Sequence, residues 1–130
     1  MSVRNFDALF HPEAIALIGA SERPHSAGAL LARNLFGARF DGLIMPVNPR
    51  RRSIEGVLTY PDVASLPVTP DLAVIATPPD TVPGLIDELG RRGARAAIII
   101  SGLDGSVPER KAALTQSALD AAKPHLIPAL

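Results

Sequence analysis

Ala14-Ile15-Ala16-Leu17-Ile18-Gly19-Ala20-Ser21 is the stretch on which the fold turns. Five apolar residues run without interruption and stop at a glycine. That is the pattern of a strand buried on both faces, not of one alternating between core and water. Glu22-Arg23-Pro24-His25 continues as a polar loop, and from Ser26 the period changes. Ala27, Leu30, Leu31, Asn34 and Leu35 recur at helical spacing, which predicts a helix from Ser26 to about Ala38 with Ser26 as its N-cap. Buried strand, glycine turn and helix in succession make the first half of a β-α-β unit.

Working outward, Gly42 to Val47 reads as a second strand, ended by Asn48-Pro49. Arg50 to Gly56 is expected to be a polar loop, Val57 to Tyr60 a short extended piece and Pro61 to Leu66 a helical turn. Leu72 to Ala76 is a third strand, closed by Thr77-Pro78-Pro79. Asp80 or Thr81 is expected to cap a helix on which Val82, Leu85, Ile86 and Leu89 share one face, and Gly93 ends it. Ala96 to Ile100 is a fourth strand, Pro108 to Ala122 a last helix, and Leu126-Ile127 the possible start of a fifth strand. The expected fold class is α/β: a doubly wound parallel sheet, Rossmann-like, three-layer α/β/α, in a single domain over residues 1–130. The expected strand order is 3-2-1-4, with a ligand crevice outside the carboxyl ends of strands one and four.

Composition narrows the function. The 130 residues are 47% hydrophobic but only 4% aromatic, so the core is built from Ile, Leu, Val and Ala. Thirteen basic and thirteen acidic residues cancel, which argues against a nucleic-acid partner. With no cysteine, disulfides, thiolate nucleophiles and Cys-based metal sites are excluded, and a cytoplasmic location is expected. No H-x-x-x-H spacing, Walker lysine motif or G-x-S-x-G elbow is present, so neither a metal site nor a catalytic group is assigned. No apolar run approaches the ~20 residues that cross a bilayer, so no membrane partner is expected.

The candidate binding residues all sit where strands end. After the first strand, Gly19 permits a sharp turn, and Ser21 and Ser26 can donate hydroxyl hydrogen bonds. The helix start behind them offers free N–H groups to a phosphate, although any strand-to-helix turn favours Gly and Ser. The loop is not a dinucleotide fingerprint, because the second and third glycines of G-x-G-x-x-G would fall on Ser21 and Pro24. After the second strand, Arg50-Arg51-Arg52 suits a phosphorylated ribose, found in coenzyme A and in NADP alike, or is simply a solvated basic loop. Thr77-Pro78-Pro79 offers a stiff wall or a plain strand terminator. Ser101-Gly102 offers a close backbone approach or an ordinary turn. His11, His25 and His125 form no cluster in sequence.

Several stretches together resemble one family. Leu9-Phe10-His11-Pro12-Glu13-Ala14-Ile15-Ala16-Leu17-Ile18-Gly19-Ala20-Ser21 is similar to the opening of the ADP-forming acetyl-CoA and acyl-CoA synthetases, and of related lysine acetyltransferases that add a GNAT domain. Pro46-Val47-Asn48-Pro49, Tyr60-Pro61-Asp62-Val63-Ala64-Ser65-Leu66-Pro67 and Pro70-Asp71-Leu72-Ala73-Val74-Ile75-Ala76-Thr77-Pro78-Pro79 follow in the family's order. The resemblance implies the fold of the CoA-binding domain of the succinyl-CoA synthetase alpha subunit. It places coenzyme A or acyl-CoA on Gly19, Ala20 and Ser21, on Asn48, Pro49 and Arg50 or its neighbour Arg51, on Thr77 and Pro78, and on Ser101 and Gly102. The chain departs from the family where Ser101 is followed directly by Gly102-Leu103 rather than by a Ser-Ala-Gly-Phe-like turn.

Four readings follow. The first is a CoA-binding domain of an ADP-forming acyl-CoA synthetase that presents the CoA thiol, is not catalytic alone, and has the remaining ligase domains as partners. The others are a CoA- or acetyl-CoA-sensing regulatory domain beside acetyltransferase domains, a stand-alone CoA-binding protein, and an NADP-binding oxidoreductase fragment. The missing glycine fingerprint counts against the last.

Overall fold

The computed structural model describes residues 11–38 and 40–100. In chain order these form β1 (Ala14–Ile18), α1 (Ala27–Gly37), β2 (Leu43–Val47), the short strands β3 (Ser53–Ile54) and β4 (Val57–Leu58), β5 (Leu72–Ile75), a single 3-10 turn at Pro79–Thr81, α2 (Val82–Arg92) and β6 (Ala96–Ile99). All five residues of β1 are buried, as its unbroken apolar run requires. It pairs in parallel with β2 on one edge and β5 on the other, and β6 lies parallel beyond β5. Ile18 lies opposite both Val47 and Ile75. The three strands therefore end level, and their exit loops leave side by side.

The sheet order β2-β1-β5-β6 corrects the expected one. Counted as the four strands of the sequence it is 2-1-3-4 rather than 3-2-1-4, and the switch point lies between β1 and β5 rather than between strands one and four. The reason is visible on the outer edge of β2. Pro46 has no N–H to give a neighbouring strand, which suits an edge position. What Pro46 and Asn48 do offer there is taken by Tyr60: its N–H donates to Pro46 O (2.9 Å) and its carbonyl accepts from Asn48 N–H (3.0 Å). The third strand therefore pairs on the free edge of β1.

The two helices cover opposite faces, giving the Rossmann-like α/β/α layering. Ala14, Ala16 and Ile18 of β1 pack with Val82, Ile86 and Leu89 of α2, while Ile15 and Leu17 pack with Ala32 of α1. On α1 the buried residues are Gly28, Ala29 and Ala32. Of the expected stripe, Leu30 is 58% exposed and Asn34 is exposed, whereas Leu31 and Leu35 are half-buried. Small residues take the inner face because the helix start presses on the β1 exit: a Cβ at Gly28 would lie 1.9 Å from Gly19 O.

Two local expectations change. The Arg50–Gly56 loop contains β3, which pairs antiparallel with β4. Glu55 and Gly56 between them both have positive φ (52° and 78°), the conformation of a two-residue hairpin turn. Thr81 takes the N-cap position of α2, but its backbone is already helical (φ −84°, ψ −16°) and its side chain makes no cap bond. Its hydroxyl lies 2.7 Å from Pro78 O and from Thr77 Oγ1 instead. Gly93, with φ 98°, closes α2 as expected. The expected helix at Pro108–Ala122 and the strand start at Leu126-Ile127 lie outside the described residues. No described helix is long and apolar enough to cross a membrane.

The close approach at Gly28 gives a test. Gly28→Ala should cost about 1–3 kcal/mol in urea unfolding, because backbone must shift to admit the methyl group. Gly84→Ala on α2, where a Cβ meets nothing within 4 Å, should instead stabilise by up to about 1 kcal/mol through helix propensity.

Candidate functional site

The exits of β1, β2 and β5 are bonded to one another before any ligand is considered. Gly19 leaves β1 with φ 91°, and its N–H donates to Val47 O (3.2 Å). Ala76 N–H donates to Ile18 O (2.8 Å). A Cβ at Gly19 would lie 2.6 Å from Ala76 O and 3.1 Å from Thr77 Cγ2. Only glycine accepts both the positive φ and this proximity.

Asn48 joins the first two loops. Its Nδ2 donates to Ala20 O (2.9 Å), and its Oδ1 accepts from the backbone N–H groups of Arg50 (2.7 Å) and Arg51 (3.1 Å). Thr59, which is buried, donates its hydroxyl to Arg51 O and fixes the same loop from beneath. The Pro61–Leu66 turn is held by α2. The Arg92 guanidinium donates to Val63 O (3.2 Å), Ala64 O (3.1 Å) and Leu66 O (2.6 Å). Within the turn, Asp62 Oδ1 accepts from Ser65 N–H (2.8 Å) and Ser65 Oγ (2.6 Å).

Between these pieces, on the α2 side, lies an open cleft of about 290 Å³. Its floor is Ile18, Gly19 and Val47, and its walls are Pro49, Pro61, Val63, Pro78 and Leu85. Asn48, Asp62, Thr77, Thr81 and Glu88 also line it, and its exposed surface is predominantly apolar. Among the described residues no Lys, Arg or His lines it.

Five of the residues expected from sequence therefore meet at one cleft: Gly19, Asn48, Pro49, Thr77 and Pro78. Ala20 is buried behind it, with its carbonyl on Asn48. Ser21 Oγ accepts from Arg23 N–H (2.9 Å), folding the first loop back on itself. Ser26 does not keep the free donor expected of it. Its hydroxyl donates to Arg23 O (2.8 Å) and accepts from Ala29 N–H (3.1 Å), so both roles are spent in capping α1. Arg50 and Arg51 lie on the rim beside the cleft, both exposed. The Arg51 guanidinium pairs with Glu22 (3.2 Å), whose other oxygen accepts from Glu55 N–H (2.9 Å). Ser101 and Gly102 lie outside the described residues. His11 and His25 are exposed and are not among the residues that line the cleft. Among the described residues no cluster of His, Asp or Glu could hold a metal ion.

Sequence reasoning missed Pro61, Asp62, Val63, Thr81, Leu85 and Glu88 as lining, and Arg92 as the clamp. The Asp62–Ser65 pair is a recognisable turn signal. Nothing local tells that this turn faces the β1 exit, because a helix some thirty residues later holds it there.

Level strand ends, a glycine exit at a topological switch point and a preformed cleft beside a basic rim define a ligand-binding domain of the Rossmann-like class. The chain belongs to the CoA binding domain family, which residues 13–130 match. It is 36% identical over 111 residues to acetate–CoA ligase (ADP-forming) I of Archaeoglobus fulgidus, covering 81% of this chain and 16% of that protein. It is 32% identical over 125 residues to the alpha subunit of acetate–CoA ligase (ADP-forming) I of Pyrococcus furiosus, covering 93% of this chain and 27% of that subunit. Among solved structures, the apo form of the dinucleotide-forming acetyl-coenzyme A synthetase 1 of Ca. Korarchaeum cryptofilum superposes with a TM-score of 0.86. It is 33% identical and covers 96% of this chain and 27% of that one. The chain thus spans between 16% and 27% of the length of these three proteins, and it is a CoA-binding domain resembling part of the ADP-forming acyl-CoA synthetases.

Asn48 is the joint to test. Asn48→Ala should cost about 1–3 kcal/mol, since it leaves a part-buried carbonyl and two amides without their partner. In hydrogen exchange, the Arg50 and Arg51 amides should lose protection ahead of the β1 and β5 amides.

Proposed function

We propose that this chain holds coenzyme A or an acyl-CoA across the rim formed by its first three strand exits, as one domain of an ADP-forming acyl-CoA synthetase. The observation that carries this reading is the convergence of Gly19, Asn48 and Thr77-Pro78 on a single cleft with Arg50 and Arg51 beside it. In this reading the β1 exit and the start of α1 take the diphosphate, since the first turn of a helix presents N–H groups and a partial positive charge to an anion. The Ser21 hydroxyl proton is available to the same phosphates. The Arg50-Arg51 pair takes the 3′-phosphate of the ribose through charge-assisted bonds. Arg51 must then leave Glu22. An exposed pair of that kind contributes only about 0–1 kcal/mol, so the exchange is favourable. Thr77 and Pro78 line the path of the pantetheine arm. The chain's part in the reaction is to bind and orient the thiol carrier, while the acid, the nucleotide and the transfer of phosphate belong to other parts of a larger enzyme.

Titration calorimetry tests this directly. CoA should bind and NADPH should not, and the reverse result would replace the reading with an oxidoreductase one. Arg50→Ala combined with Arg51→Ala should weaken CoA by roughly 10- to 100-fold, the worth of one charge-assisted contact. Dephospho-CoA, which lacks the 3′-phosphate, should change by less than about twofold. Equal losses for both ligands would remove the arginines from 3′-phosphate recognition.

A further inference from the structure

Two donors converge on the carboxylate of Glu22, in the first loop. The Arg51 guanidinium lies 3.2 Å from its Oε2, and the Glu55 N–H donates to its Oε1 at 2.9 Å. A guanidinium and a backbone N–H set against two oxygens of one anion are the donors that proteins present to phosphate. The rim thus carries an anion seat, and the chain fills it with its own side chain.

The neighbouring structure fixes the parts of this seat. Asn48 Oδ1 accepts from the Arg51 N–H (3.1 Å), and the Thr59 hydroxyl donates to Arg51 O, so the Arg51 backbone is held at both its polar groups. Glu55 stands in the hairpin turn with φ 52°. Next to Glu22, Ser21 Oγ accepts from the Arg23 N–H and folds the first loop. Glu22 meets partners 29 and 33 residues further along the chain. The contact also separates the arginines of the triplet: among the described residues Arg50 and Arg52 make no ion pair, and Arg51 does. The side chains of Arg51 and Glu22 are 57% and 35% exposed, so an anion from solution can reach the pair.

We infer that Glu22 is an internal competitor for the 3′-phosphate of CoA. Its carboxylate holds Arg51 in the free protein, and CoA gains that arginine only by displacing it. This inference rests on the reading that Arg50 and Arg51 take the 3′-phosphate. A phosphate monoester carries between one and two negative charges at neutral pH against one on the carboxylate, so the phosphate wins the exchange. The affinity that results is lower by the worth of the pair that is lost. Dephospho-CoA has no group to offer Arg51 and leaves the pair in place. Glu22 therefore sets how much the 3′-phosphate contributes to affinity.

Titration calorimetry with CoA and dephospho-CoA tests this. Glu22→Gln removes the charge and keeps an oxygen for the Glu55 N–H, and circular dichroism checks that the variant folds. CoA should bind roughly two- to fivefold more tightly, the worth of an exposed ion pair, and dephospho-CoA should not change. In an Arg51→Ala background the same substitution should leave CoA affinity where it was. Unchanged or weakened CoA binding in Glu22→Gln overturns the inference, since Glu22 would then be idle or would help to position Arg51 for the ligand. Equal tightening of both ligands overturns it too, because the carboxylate would then act on any anion and not through Arg51. Tightening that persists without Arg51 has the same consequence. If replacing Arg50 and Arg51 costs CoA more than dephospho-CoA while Glu22→Gln changes nothing, only this inference fails. If the wild-type chain does not bind CoA, or the arginines matter equally to both ligands, the parent reading fails and takes the inference with it.

Discussion

The structure depends on the complete burial of β1. A strand covered on both faces and bonded along both edges must have every backbone group satisfied by its neighbours, and β1 achieves this between β2 and β5. Its only way out is upward at Gly19, into a space already bounded by Ala76 and by the first turn of α1. Gly19 and Gly28 are consequences of that crowding: each stands where a Cβ would collide with backbone. The site is therefore placed by the core, and the loops that form it are short because the strands deliver them to the same level.

Around this exit a few polar groups do most of the positioning. Asn48 spans the first two loops with three bonds, and Arg92 reaches from the last turn of α2 to three carbonyls of the Pro61–Leu66 turn. At the opposite end, Asp71 Oδ2 accepts from Glu13 N–H (2.9 Å) and Ala14 N–H (3.1 Å), closing the start of β1 against the start of β5. Sites held in this way need little reordering when a ligand arrives, which lowers the entropic cost of binding. The charge is divided along the rim: the arginines stand outside the cleft and the carboxylates within its lining.

Much of this was legible in the chain. The unbroken Ala14–Ile18 run, the Ser26 cap, the Gly93 stop and the apolar face of α2 rest on local rules of burial, capping and period, and each appears where those rules put it. Gly19, Thr77 and Pro78 could be named because the ends of parallel strands share a rim, and Asn48 and Pro49 because the family resemblance implies them. Other features were hidden. Leu30 fits the helical period yet faces solvent, because α1 approaches β1 closely enough to require glycine and alanine on its inner face. The hydroxyl of Ser26 is engaged in the cap of α1 and with Arg23 O, which its place in a strand-to-helix loop does not reveal.

The sequence by itself determined the four strands of the parallel sheet, α1 and α2, the α/β class and the family, because these depend on patterns within a few residues and on motifs kept in order. Tertiary structure alone decided the strand order, the location of the switch point and the wall of the cleft formed by Pro61 and Val63. The order turned on Tyr60 occupying the outer edge of Pro46, and the wall on Arg92 drawing the Pro61–Leu66 turn toward β1. Both are contacts between residues far apart in the chain, whose partners a local pattern cannot specify.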